Sequence, residues 1–346
     1  MKKFWLIRRN VVLLHLMKSR VTPYYIYFLI MSALFGLLTA CSDDSENTAE
    51  KSEIRLKSDV WKMMEGTRAT TIDDNDDLQD CALRIDAYYN GTDTKYLNGS
   101  KLVYDTDHWR FDNGSGSETH YYWPIEGSVY DPSSTNITVS SLDFVGYCPY
   151  TAPGYITPED YSHSTGASFT CDLSSLMTNT AQASMAEYLI AVLPNQTYAT
   201  QVAASGALPL EFKHPFALVK FEIAAASGTH VQVNSISIGG LNTSATCTYN
   251  GSTMTWGSHS GSAAMTITQT LKLGGTTVST PFIVIPNDYG SMTLTVNGTW
   301  DDWSAVTKDI STTVDIDWEP GYIYTYNLTV TKYALKVDIE KFTEQW

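Results

Sequence analysis

Three observations predict an all-β sandwich protein. Helical periodicity is scarce along the 346 residues, side-chain alternation is common, and Asn-Gly turn signals recur at 90–91, 98–99, 113–114, 250–251 and 297–298. Short alternating runs separated by such turns are what hairpin-connected, half-buried strands look like in sequence. In CALRIDAYY, Cys81, Leu83, Ile85, Ala87 and Tyr89 share one parity. PFALVKFEI places Phe216 with Leu218 and Phe221 with Ile223, and VQVNSISI places Val231 with Val233 and Ile236 with Ile238. PFIVIP, SMTLTV and YIYTYNLTV are β-branched and aromatic runs bounded by Pro, Asn and Gly. A helical turn or two is expected only in LSSLMTNTAQASMAEYLIAV. Small, weakly patterned residues in ATQVAASGALPLEF suggest a boundary near 200–212. No solenoid-type repeat is present.

Both ends of the globular part carry strand-like segments. In SEIRLKSDVWKMMEGTR, residues 52–68, Ile54, Leu56, Val60 and Met64 share one parity. In YALKVDIEKFTEQW, Leu335, Val337 and Ile339 line one face while Lys336, Asp338 and Glu340 line the other. Each pattern fits a strand with one face buried.

The N-terminus reads as an export signal. An apolar run over 24–38 is shorter than the roughly 20 residues a bilayer span needs, and Lys18 and Arg20 precede it. It ends Leu38-Thr39-Ala40-Cys41, which resembles a bacterial lipobox with Cys41 as the lipidated residue. Met17 is an alternative start. The acidic, Ser-rich stretch after Cys41 reads as a solvated tether, and it also resembles the export signal of surface lipoproteins in Bacteroidota.

The formal charge is −15, and removing residues 1–40, which hold six basic and no acidic side chains, takes it to −21. Nucleic-acid binders carry basic patches, so a nucleic-acid partner is not expected. Beyond Cys41, four cysteines remain: Cys81, Cys148, Cys171 and Cys247. Their spacing matches no metal or redox motif, and both disulfides and buried thiols stay open.

Chemistry-bearing motifs are scarce. An EF-hand loop starting at Asp73 would need Gly and Glu where the chain has Leu78 and Arg84. The histidines form no HExxH or HxH pair, and GSHSG at 257–261 has His259 where a nucleophile elbow needs serine. No metal, cofactor or catalytic residue is expected. HYYWP at 120–124 leaves one alternative open: a monomeric surface lipoprotein that stacks glycans on exposed Tyr121, Tyr122 or Trp123.

Several segments together resemble the fimbrillin family, the pilins and accessory subunits of type V pili in Bacteroidota. They are the lipobox, EGTRAT around Arg68, YYWPIEGSVYDPSSTNITVSSLDFVGYCPY, LPLEFKHPFALVKFEI and WEPGYIYTYNLTVTKYALKVDIEKFTEQW. The resemblance implies two tandem transthyretin-like β-sandwiches behind a lipoprotein signal peptide. The expected layout is a signal over 1–40, a tether and removable strand over 41–68, and sandwiches over 69–205 and 206–346. It further implies arginine-specific cleavage between Arg68 and Ala69, with Arg55 a less well placed second cut. Removal of the upstream strand would open an apolar groove. The tail strand with Leu335, Val337 and Ile339, donated by a neighbouring subunit, would fill it. The expected partners are other pilus subunits and, through lipid, the outer membrane.

Overall fold

Strands carry almost all of the regular structure, as the alternating pattern predicts. The computed structural model describes residues 52–60, 75–130, 137–183, 185–272, 277–279, 281–301 and 305–342. The signal peptide, Cys41, Met64, Arg68 and Ala69 lie outside the described residues. Among the described residues, no helix is long and apolar enough to cross a membrane.

The first half contains β1 (Leu56–Val60), β2 (Leu83–Tyr89), β3 (Lys95–Asp105), β4 (His108–Asp112), β5 (Glu118–Thr119) and β6 (Val129–Tyr130). It continues with β7 (Ile137–Thr138), β8 (Leu142–Cys148), β9 (Ile156–Pro158), β10 (Ala167–Asp172), β11 (Leu189–Gln196) and β12 (Leu208–Phe212). Among the described residues, three short α-helices interrupt them: α1 (Asn75–Gln79), α2 (Asn179–Gln182) and α3 (Tyr198–Ala203). α2 is the turn expected in LSSLMTNTAQASMAEYLIAV. The 200–212 stretch is more ordered than its composition suggests. It holds α3, started by a Thr197–Thr200 capping box, and then β12.

Six strands form an antiparallel sheet in the order β11-β8-β2-β3-β4-β5, while β1 and β12 form a separate parallel pair. Leu83, Ile85, Ala87 and Tyr89 all enter one core, as their shared parity requires, with Phe144, Ala191, Leu208, Leu210 and Phe212. The opposite face of the same strands is also buried: Tyr88, Val145, Tyr147 and Ile190 belong to a second core. Every residue of β8 is therefore buried, including Asp143, which accepts hydrogen bonds from Tyr161 Oη at 3.0 Å and the Asn195 N–H at 2.8 Å.

Two glycines show why this sheet needs them. A Cβ on Gly146 would lie 2.8 Å from Phe212 Cζ, so the aromatic ring of β12 can rest on β8 only where a side chain is missing. Asn98-Gly99 is not the turn that its sequence suggests but lies inside β3, where the register with β2 shifts. Gly99 adopts φ 62° there and donates its N–H to Asp86 Oδ1 at 2.6 Å. The extra residue lets Leu97 and Leu102, of opposite parity, reach the same core. Asn297-Gly298 is likewise interior to a strand, defined next.

The second half contains β13 (Ala217–Ala225), β14 (Val231–Leu241), β15 (Ser244–Tyr249), β16 (Met254–Ser260), β17 (Ala263–Lys272) and β18 (Thr277–Val278). It ends with β19 (Phe282–Val284), β20 (Asn287–Asp301), β21 (Ala305–Trp318), β22 (Ile323–Val330) and β23 (Leu335–Phe342). One sheet runs β18-β13-β22-β23, with β19 also on β13, and another runs β17-β14-β20-β21. A third, β16-β15-β10-β9, joins strands from both halves. Phe221, Ile236, Ile267, Leu294 and Tyr326 fill the core between them. The WEPGYIYTY segment is fixed by its aromatics: Trp318 donates its indole N–H to Tyr326 Oη at 3.0 Å, and Tyr324 Oη accepts from the Glu319 N–H at 2.8 Å.

FKHPF links β12 to β13, and its His214 is almost fully buried. His214 Nδ1 lies 2.8 Å from Glu187 Oε1, which is equally buried. Removing one partner deprives the other of this bond in a low-dielectric interior. We expect His214→Ala to destabilise the protein by about 3 kcal/mol, read as a lower urea midpoint with an unchanged slope.

Candidate functional site

The first core is closed by a strand from far upstream in the chain. The segment 52–60 places Ile54, Leu56 and Ser58 inward and Arg55, Lys57 and Asp59 outward. Ile54 and Leu56 are 1% and 3% exposed, so both are integral to the core. The side chain of Val60 is not among those described.

Two sets of backbone bonds seat this segment. β1 pairs with β12 in parallel from Leu56↔Leu208 to Val60↔Phe212, and the Leu208 N–H donates to the Arg55 carbonyl at 2.9 Å. Upstream, the Ile54 N–H donates to the Tyr121 carbonyl and the Trp123 N–H to the Ser52 carbonyl, each at 2.8 Å. α1 covers the other end: Leu78 is fully buried, and Asn75 Nδ2 donates to Asp59 Oδ1 at 3.3 Å. The acidic run over 73–77 thus contributes residues 75–77 to a helix against β1, with Asp76 and Asp77 in its favourable first turn.

Gln201 on α3 holds the segment by both edges of its amide. Its Oε1 accepts from the Arg55 N–H at 2.9 Å and from the Trp123 indole at 3.0 Å, and its Nε2 donates to the Glu53 carbonyl at 2.9 Å. The Arg55 peptide is therefore bonded through both its N–H and its carbonyl, and a protease would have to unseat the segment before cutting there. Sequence reasoning missed Gln201, because a buried glutamine in an Ala-rich stretch has no signature. The Thr-x-x-Thr spacing of its capping box is the one local clue.

Charge adds a second clasp. Glu53 Oε1 lies 2.5 Å from His120 Nδ1, and Glu53 Oε2 accepts from both Nε and Nη2 of Arg55 at 3.1 Å. Burial pushes the Glu53 carboxyl up, but the bonds from His120 and Arg55 outweigh it and hold the group below its ordinary value. The bond to Glu53 raises His120, against a smaller opposing effect of burial. Ligand-type atoms of Glu53, Glu118 and His120 lie within 4.8 Å of one another. The Arg55 guanidinium already supplies the positive charge a cation would bring, so the group reads as an ion-pair network.

The seat is imperfect in two ways. Ser58 Oγ is buried without a hydrogen-bond partner, where an apolar side chain would be at no such cost. Among the described residues, β1 is laddered on one edge only, and its other side opens on a cleft lined by Leu102, Trp109 and Phe111.

The remaining predicted residues sit elsewhere. Leu335, Val337 and Ile339 lie on β23, which pairs antiparallel with β22 of its own chain at the sheet edge. Burial fades along the strand: Leu335 is buried, Val337 is half-buried and Ile339 is 42% exposed. In HYYWP, Trp123 is buried edge-to-face on Phe144, Tyr121 is half-buried on Phe111, and Tyr122 alone is exposed. The three rings do not form one flat exposed platform.

A strand from upstream of residue 61 completes the first core, and β23 lies at the edge of its own sheet. A family model described as fimbrillin-like matches residues 67–346. The chain belongs to the fimbrillin-like family. Solved structures are similar to this chain at low sequence identity. A Bacteroides ovatus protein with a provisional cell-adhesion assignment is 12% identical, with TM-score 0.51, covering 85% of this chain and 97% of its own. A Bacteroides uniformis protein with the same provisional assignment is 18% identical, with TM-score 0.47, covering 84% and 99%. The tip fimbrial protein Mfa3 of Porphyromonas gingivalis, truncated at its C-terminus, is 10% identical, with TM-score 0.38, covering 77% and 94%. No curated protein matches the sequence of this fimbrillin-like chain.

Two outcomes test the seat. Gln201→Ala removes three hydrogen bonds, at about 1 kcal/mol each, so limited proteolysis should cut at Arg55 many-fold faster while the C-terminal half stays intact. The Glu53–His120 clasp should also respond to pH. His120 is raised, so its contribution is full below the unfolded value near 6.5 and is lost as pH rises through the higher folded one. Glu53 is lowered, so its contribution is full above 4.5 and is lost as pH falls through the lower folded value. Hydrogen exchange at Ile54, corrected for intrinsic rate, should therefore speed up on the alkaline side of the His120 titration, and His120→Gln should remove that step.

Proposed function

We propose that this protein is a lipid-tethered precursor of a structural subunit, or the anchor, of a surface pilus that supports adhesion, with no enzymatic role. In this reading residues 1–40 direct export and Cys41 takes the lipid. Cleavage between Arg68 and Ala69 then frees the segment carrying β1. The body consists of tandem β-sandwiches, with β12 belonging to the first.

The observation that carries the proposal is the way β1 occupies its groove. It sends Ile54, Leu56 and Ser58 inward at two-residue spacing. β23 offers Leu335, Val337 and Ile339 at the same spacing, with an apolar residue in the place of Ser58. A strand from a neighbouring subunit with that pattern would relieve the buried hydroxyl and fill the groove better than β1 does. The exposed Ile339 marks β23 as incompletely buried on its own subunit. Family membership supports the same reading. If Cys41 keeps its lipid and β1 stays seated, the protein is an anchor at the fibre base.

The test is assembly on cells. Replacing Val337 and Ile339 with Asp should abolish fibres while leaving exported, folded monomer whose N-terminus is Ala69 by mass spectrometry. Normal fibres from that variant would exclude the tail as donor.

A further inference from the structure

The four described cysteines fall into two neighbouring pairs that differ in geometry. Cys171 on β10 and Cys247 on β15 are both buried on the same sheet, but they are not opposite each other. Cys171 faces Ala245 and Cys247 faces Phe169. Diagonal neighbours of this kind stand farther apart than the roughly 3.5–4.5 Å between Cβ atoms that a disulfide needs. Cys81 and Cys148 are arranged otherwise. Cys148 is the last residue of β8, and Cys81 lies in the bend between α1 and β2. The Tyr150 N–H donates to the Ala82 carbonyl at 2.7 Å and the Cys81 N–H to the Leu78 carbonyl at 3.0 Å, which folds the bend back onto the end of β8. The two thiols meet there as hydrogen-bonding partners, one half-exposed and one buried.

We infer that Cys81 and Cys148 form an intramolecular disulfide, and that Cys171 and Cys247 remain thiols. Of the three ways to pair four cysteines, only the pairing of 81 with 148 and 171 with 247 joins neighbours, and the diagonal placement of 171 and 247 argues against its second half. The chemistry follows from exposure. The hydrogen bond from Cys148 lowers the Cys81 thiol, making it the first to ionise. The Cys81 thiolate attacks a sulfur of an external disulfide, forming a mixed disulfide and releasing one thiolate. The Cys148 sulfur, giving up its proton, then attacks Cys81 and releases the second. Two protein thiols are oxidised and one external disulfide is reduced to two thiols. Burial pushes the Cys171 thiol up to about 12 and the Cys247 thiol up as well, so neither is a ready nucleophile. The crosslink would tie the start of β2 to the end of β8, beside the root of the segment that leads back to β1.

The experiment uses the full-length folded protein, reduced and then incubated with oxidised glutathione as the external disulfide. Free thiols are alkylated after denaturation and the peptides are mapped by mass spectrometry. The expected result is a Cys81 peptide joined to a Cys148 peptide, with Cys171 and Cys247 alkylated. Reductant should then lower the melting temperature of the oxidised protein by about 5 °C, and Cys81→Ser should remove that dependence. Alkylation of both Cys81 and Cys148, stable mixed disulfides with glutathione, or any other linkage would overturn the inference. Because the oxidant is supplied in vitro, the result does not depend on the proposed surface location or on assembly.

Discussion

The six-stranded sheet needs two covers, and on one face a large part of the cover is β1. The sheet's central strands are apolar on both sides, so neither face can be left to water. On one side the second core supplies the cover. On the other, β12 and β1 share the task. The attachment of β1 is therefore the constraint on which the first core rests: two buried apolar side chains, two sets of backbone bonds, one glutamine and the ion pairs of Glu53. Burying Ile54 and Leu56 is worth about 1.5–3 kcal/mol each, which is comparable to the hydrogen bonds that hold the backbone in place.

That balance gives β1 an unusual character. It is bound firmly enough to complete the fold, yet it carries a buried hydroxyl without a partner and leaves a cleft along its free edge. Selection for stability alone would replace Ser58 with an apolar residue. At the opposite end of the chain, β23 is apolar at all three corresponding positions, yet on its own subunit its burial decays from Leu335 to Ile339. One strand is less apolar than its seat allows, and the other is more apolar than its own position uses.

Three buried polar groups hold irregular connections in place. Asp143 ties loop residues to β8, the His214–Glu187 pair sits at the link between β12 and β13, and Gln201 replaces strand pairing where α3 meets the upstream segment. Each satisfies donors and acceptors that the irregular connections between sheets would otherwise leave unpaired.

Alternation in CALRIDAYY, PFALVKFEI and YIYTYNLTV specified strands, because a period of two leaves few other ways to bury one face. The one-sided patterns at 54–56 and 335–339 were legible for the same reason. Other features depended on contacts distant in sequence. Asn98-Gly99 and Asn297-Gly298 look like turns, but long neighbouring strands carry the chain straight through them. LDFVGYC has the apolar character of a strand, while much of its burial comes from residues distant in sequence, including Phe212 lying on Gly146. Gln201, Glu53 and His120 are ordinary polar residues until folding sets 53, 120 and 201 side by side. No local pattern marks such a site, because side chains that recognise another segment are chosen by that segment's position and not by their own neighbours.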